Sequence, residues 1–420
     1  MPTSSARSPQ PRRKRHALGR RLALGMLLAS PALALGLWIA VNRIEWLGPW
    51  VADGLRAVIG KEAVTEIENI AYGVQDRFYQ YIRQGEKPKA YWEVPAASPA
   101  LEPEAEKPAP QGTTGAVKIP PFAPSPVGPV HEAWSAPGDG HWLTIPVPDL
   151  PKLEPHLFKT LLHPDKNRSW AELFVVAIDL RRSDIHLVAG SQEPVATEPA
   201  ALGVERPARI PDEHHDRVLA AFNGGFKTEH GAYGMRVGGV TLVAPRDEVC
   251  AVALFKDESI RVAPWHSMKE LESDMLWWRQ TPNCMYADNV VNPNLGAGNS
   301  KKWGATLDGE TVIRRSAIGI DASGNVLFVG ISNHTTASAI ADGMNHAGAV
   351  SVAQLDVNFS YPKFVLFQRP PGAAEGGDRE AVALAEGFEF STAEYIRERA
   401  RRDFFYVTPK SLRSPAEVNR

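Results

Sequence analysis

The sequence predicts an α+β fold: one globular domain built on a large mixed β-sheet with few helices. Three observations carry that expectation. Short apolar runs recur from residue 171 onward, divided by turns of Gly, Ser, Asp and Lys. Only one long stretch in that region, Ala337–Ala347, carries helix signals at both ends. The composition, 44% hydrophobic and 22% charged over 420 residues, is that of an ordinary globular chain with ample core.

The segments that precede the domain differ in kind. Residues 1–18 are basic and rich in Ser and Pro, and are expected to be a disordered cytoplasmic tail. Residues 22–42 carry no charge, about the length of a membrane span, so 19–43 is assigned as a transmembrane signal anchor. The basic flank stays inside and the main domain lies outside, periplasmic or at the cell surface. A cleavable signal peptide is the alternative, since Ala32 and Ala34 suit a peptidase. Residues 44–84 are expected to be helical, because Ile67, Ile70, Val74, Phe78 and Ile82 recur at steps of three and four. The Pro-rich stretch 85–140 reads as a semi-rigid linker. The domain is expected at 141–410, followed by a short disordered tail, 411–420.

Within the domain, strands are expected at Ala171–Leu180, Asp184–Ala189, Val218–Phe222, Val240–Val243, Val249–Phe255, Ile260–Val262, Thr306–Leu307, Glu310–Ile313, Ser316–Asp321, Asn325–Ile331, Val350–Leu355 and Phe364–Phe367. Short helices are expected at Ser267–Trp278 and 391–402. Thr335 or Thr336 is placed to cap the helix 337–347, and Gly348 to stop it.

Charge and motifs exclude several functions. The net charge of −2 gives no footprint for nucleic acid. No nucleotide-binding glycine loop, zinc-protease motif or Gly-x-Ser-x-Gly elbow occurs, and no cofactor or metal is expected. Asp212-Glu-His-His-Asp216 is the one acidic and histidine-rich run, but adjacent residues seldom point at one ion. Cys250 and Cys284 are the only cysteines. They either form a disulfide in an exported domain or remain two buried thiols.

Four stretches could carry chemistry. In Leu219-Ala-Ala-Phe-Asn-Gly-Gly-Phe226 an apolar strand delivers Asn223 into a turn of Gly224 and Gly225, which suits either a ligand site or a tight turn. In Val350-Ser-Val-Ala-Gln-Leu-Asp356 a strand ends on a carboxylate, which suits either catalysis or a turn cap. Arg314-Arg315-Ser316 leads into another strand, offering a guanidinium fork or a solvated charge pair. Arg279-Gln280-Thr-Pro282 precedes a loop rich in Asn.

Taken in order, Asn223-Gly-Gly-Phe226, Gly234 to Gly239, Arg315-Ser-Ala-Ile-Gly319, Gly348-Ala349 and Leu355-Asp356 resemble the phosphodiester glycosidase family over about 170–370. Where that family has a glycine run after its Leu-Asp, this chain has Val357-Asn358-Phe359-Ser360, so the loop is bulkier. The resemblance implies hydrolysis of a phosphodiester-linked glycan, in envelope or exopolysaccharide metabolism, at the glycosidic bond. By the same resemblance Asp356 is the principal carboxylate and Arg315 the phosphate clamp. Asn223, Gly224, Gly225, Gln280, Asn358 and Ser360 line the substrate, and Glu229 is a candidate second carboxylate. A non-catalytic glycan-binding domain on the same fold is the alternative.

Overall fold

The computed structural model describes residues 58–94 and 122–410, apart from 152, 296–302, 304–310, 358–360, 371 and 374–378, together with Gly36, Val51 and Gly54. The expected tail 1–18, the apolar run 22–42 (but for Gly36), the proline block 95–121, the expected strand Thr306–Leu307 and the tail 411–420 fall outside these residues. No described helix is long and apolar enough to cross a membrane. Contacts divide the chain into two units, 1–68 and 69–420. The helix Lys61–Ile82 runs through the boundary. Every described strand belongs to the second unit.

The expectation of one large mixed sheet is corrected. The described strands form three sheets, and every pairing is antiparallel. The largest has eight strands, in the order Leu143–Thr144, Leu157–Leu162, Leu173–Asp179, Val326–Thr335, Ile313–Ile320, Ser351–Val357, Tyr286–Ala287 and Val290–Val291. A five-stranded sheet orders Val240–Val243, Met235–Val237, Met275–Thr281, Cys250–Phe255 and Ile260–Pro264. The other orders Glu380–Ala383, Phe364–Gln368, Ala220–Asn223, Phe404–Pro409 and Ser183–Val188.

Alternation along the strands explains the layering. In Leu173–Asp179 every residue is buried. Phe174, Val176 and Ile178 enter one core, while Leu173, Val175 and Ala177 enter another. The first core joins the large sheet to both smaller ones, through Ile318, Leu355, Phe222, Phe405, Val252 and Trp277. The second lies under the helix Ala337–His346, against Ile340 and Met344. A strand covered on both faces has no polar face to show, so the sequence reads as a continuous apolar run. Ser183–Val188, at a sheet edge, alternates buried and half-buried positions instead.

Local signals are met at the helix 337–346. The Thr336 hydroxyl accepts the Ala339 N–H at 3.0 Å, and Gly348 at φ +117° follows its end. Two other expectations fail. The segment 267–278 is a pair of short 3-10 turns running into the strand Met275–Thr281, and 391–402 is a succession of turns. The end of the expected linker also does more than space. Asp139 and His163 form a buried pair at 2.9 Å, and Phe122 packs edge-on against Phe158. The sulfurs of Cys250 and Cys284 are joined, closing a separation of 34 residues.

Candidate active site

The strands Ala220–Asn223 and Ser351–Val357 belong to different sheets, yet their carboxyl ends meet. The Asp356 N–H donates to the Gly224 carbonyl at 3.0 Å. Asn223 is fully buried, and its side chain is used on both sides. Its Nδ2 donates to Ser316 Oγ at 2.8 Å and to the Gly224 carbonyl at 3.1 Å. Its Oδ1 accepts the Lys363 N–H at 3.1 Å. Ser316 Oγ donates onward to the Asp356 carbonyl at 2.9 Å. One hydrogen-bonded chain therefore ties Asn223 to Asp356 through a serine.

A β-bulge aims the carboxylate. Ala317 pairs with Gln354 and Arg315 with Val357, so two steps on one strand face three on the other. Gln354 accordingly meets Arg315, while Asp356, two residues later, meets Arg402. In an unbroken strand these residues would share a face.

The Asp356 carboxylate is nearly sealed, its side chain 2% exposed. Oδ1 accepts the Val357 N–H at 2.8 Å, and Oδ2 forms an ion pair with Arg402 Nη1. Burial pushes the carboxyl up to about 6, against the opposing pull of Arg402. Burial also works against charge on Arg402, but Asp356 and Tyr361 more than offset it, so its pKa is raised. The guanidinium lies 4.2 Å over the Tyr361 ring. The Tyr361 hydroxyl donates to the Asp403 carbonyl at 2.8 Å. Burial holds that phenol far above its ordinary value, as a neutral donor. The Arg402 side chain is 15% exposed, the most open part of the pair.

Beneath the site lies a second, wholly buried ion pair. Arg279 Nε and Nη2 donate to the two Asp403 carboxylate oxygens at 2.9 and 3.2 Å. The remaining Arg279 donors reach the carbonyls of Phe226, Tyr233 and Gln280. Asp403 Oδ2 also accepts the Gly225 N–H at 2.9 Å, and the Asp403 carbonyl accepts the Gly224 N–H at 2.9 Å. This pair explains the glycines. A Cβ at Gly224 would sit 2.1 Å from Asp403 Oδ2, and one at Gly225 2.8 Å from the Arg279 guanidinium. The turn needs glycine because Asp403 and Arg279 press against it.

The other expected residues lie elsewhere. Arg315 is fully buried; its guanidinium donates to the carbonyls of Thr335, Trp303 and Thr311 and to Gln354 Oε1. Burial lowers it to about 9. The arginine that meets Asp356 is Arg402. Gln280 Oε1 accepts the N–H groups of Gly234 and Arg246, and its Nε2 donates to the Arg246 carbonyl, so it staples two loops. Glu229 lies by Lys227 and His230, each at 3.6 Å. Asn358 and Ser360 fall outside the described residues. A cavity of about 760 Å³ opens at the far end of the Asp356 strand, against Val350 and Ser351, and Asp356 is not among its lining residues. His214 bonds the Tyr406 hydroxyl and His215 the Ile210 carbonyl, so the Asp212–Asp216 run diverges. Arg402, Asp403 and Tyr361 are participants that no motif includes, and Ser316 stands in the Arg314–Ser316 motif without a role of its own; the charged triplet Arg401-Arg402-Asp403 abutting an apolar strand was the available signal.

The sequence matches no protein-family model and no curated protein. Solved structures are similar at a distance. The zebrafish N-acetylglucosamine-1-phosphodiester α-N-acetylglucosaminidase catalytic domain, auto-inhibited by its pro-peptide, aligns at 13% identity and a TM-score of 0.37, over 60% of this chain and 82% of that one. A hypothetical protein from Synechocystis aligns at 10% identity and a TM-score of 0.34, over 61% of this chain and 62% of that one. A putative exported protein from Burkholderia pseudomallei gives 11% identity and a TM-score of 0.24, over 57% and 74%. Likenesses this distant concern the fold and assign no activity to this chain.

Proposed function

We propose that this chain is an extracytoplasmic hydrolase that cleaves a sugar-1-phosphodiester at the glycosidic C–O bond. Asp356 is the reacting carboxylate, and Arg402 takes the place first given to Arg315 as the phosphate clamp. The observation that carries the reading is the Asp356–Arg402 pair, a desolvated carboxylate and a partly open guanidinium at the meeting of two strand ends. A perturbed carboxyl beside a partly exposed cation is what such a reaction needs.

The chemistry follows from the two groups. Phosphate is a fair leaving group, so binding its charge replaces much of the proton donation a sugar leaving group demands. When a phosphodiester arrives, Arg402 exchanges Asp356 for the phosphate, a bidentate partner suited to its planar fork. The freed carboxylate then faces the developing positive charge at the anomeric carbon or takes the proton of the attacking water. Asn223 and Ser316 hold the Asp356 backbone in place. The uncharged run 22–42 and the joined cysteines favour an anchored domain in an oxidising compartment.

The test is turnover of a sugar-1-phosphate methyl diester by the full chain. We expect free sugar and methyl phosphate, with kcat/KM rising as pH passes about 6. Asp356→Asn is expected to lower kcat about a hundredfold or more, and Arg402→Ala to act chiefly on KM. Turnover unaffected by either substitution sinks the assignment. A second reading, glycan binding without turnover, is favoured by one observation: Asn223 and Gln280 spend their polar atoms on the protein itself. Saturable glycan binding with no product in the same assay supports that reading instead.

A further inference from the structure

We propose that the outward face of residues 70–82, in the helix Lys61–Ile82, is a seam on which a second copy of this chain docks. The helix is mounted the reverse of the usual way. Its polar side meets the domain: Asp76 pairs with Arg168 at 2.7 Å, Tyr79 packs against Trp170 and His334, and Arg83, just past its end, lies over the Trp170 ring. Over 70–82 its apolar side faces solvent, with Ile70 57%, Val74 61%, Phe78 57% and Tyr81 78% exposed, whereas Val64 nearer its start is buried. An amphipathic helix anchored by its polar side leaves its apolar stripe for another partner.

The spacing selects the partner. Ala71, Val74, Phe78 and Tyr81 follow steps of three, four and three, the a/d pattern of a coiled coil. In that frame Tyr72, Asp76, Tyr79 and Arg83 fall at b and f, the outer positions of a helix pair, and three of them make the contacts with the domain just described. Ile70 and Ile82 flank the seam and widen it. An anionic lipid surface fits less well: over 70–82 the helix carries a single base, Arg77.

Cross-linking tests this on the full chain in detergent micelles. The native cysteines are joined, so Val74→Cys adds the sole reactive thiol, and Ser323→Cys in an exposed turn serves as control. A bis-maleimide should join two copies through position 74 and not through 323. Light scattering should give a protein mass twice that of one chain, reduced to one chain in the Val74→Glu, Phe78→Glu double variant with unchanged tryptophan emission. A single-copy mass with no cross-link overturns the proposal, as does a dimer that survives the double variant. A dye on Val74→Cys that shifts to the blue only in anionic lipid discs, in a single-copy protein, would place lipid there instead and equally overturns it.

Discussion

Replacing Asp356 by Asn should stabilise the protein at neutral pH while removing its proposed chemistry. The carboxyl rises from 3.8 to about 6 in the folded state, chiefly through burial. Two pH units at about 1.4 kcal/mol each amount to about 3 kcal/mol. The sign follows from the direction. A group whose folded pKa is raised contributes stability that is complete below about pH 4 and lost as pH rises through about 6. Wild type therefore carries a charged carboxylate at pH 7 at a cost of about 3 kcal/mol relative to a neutral isostere. Asn keeps the acceptor for the Val357 N–H, and Arg402 keeps its stack on Tyr361 and its partial exposure. The assay is urea unfolding followed by tryptophan emission, for which Trp265, Trp277, Trp278 and Trp303 are buried reporters. The variant should match wild type near pH 3.5 and exceed it by about 3 kcal/mol at pH 7. A variant equal to or weaker than wild type at pH 7 would mean that the pull of Arg402 outweighs burial.

Gly224→Ala should cost about 3 kcal/mol, since the new methyl meets both the carboxylate and the backbone carbonyl of Asp403; a loss below about 0.5 kcal/mol in urea unfolding contradicts this. Arg315→Ala should lower stability by about 4 kcal/mol, by stranding the buried acceptors of Thr335, Trp303, Thr311 and Gln354. Its folded fraction should keep the wild-type KM, whereas a phosphate clamp would lose it. Cys250→Ser with Cys284→Ser should cost about 4 kcal/mol, from a closed loop of 34 residues, and wild type in reductant should unfold at the same urea concentration as the double variant.

The sequence makes some of this plain and conceals the rest for physical reasons. Asn223 and Asp356 stand out because a polar residue ending a buried strand is visible in one dimension, and the Thr336 cap is likewise local. The strand directions are not visible: Leu-Phe-Val-Val-Ala-Ile is apolar on both faces whether its neighbours run parallel or antiparallel. The face of Arg315 depends on a bulge, one extra residue on a partner strand far along the chain. Arg402 is 46 residues from Asp356, and its segment reads as an amphipathic helix. Tertiary stacking overrides that pattern: Tyr395 takes φ +62° and lies 4.1 Å from the Phe404 ring, which breaks a helical path. The glycines of the 224–225 turn are conspicuous, but their cause, the buried Arg279–Asp403 pair, joins residues 124 apart.

Hydrolysis of a sugar-1-phosphodiester in water enriched in oxygen-18 shows which bond breaks. Cleavage of the glycosidic C–O bond puts the heavy oxygen on the anomeric carbon of the released sugar and leaves the phosphomonoester unlabelled, with the signal lost in Asp356→Asn. Label in the phosphate would mean cleavage at the P–O bond and rule out glycosidic hydrolysis. Label in the sugar that persists in Asp356→Asn would contradict the role given to that carboxylate.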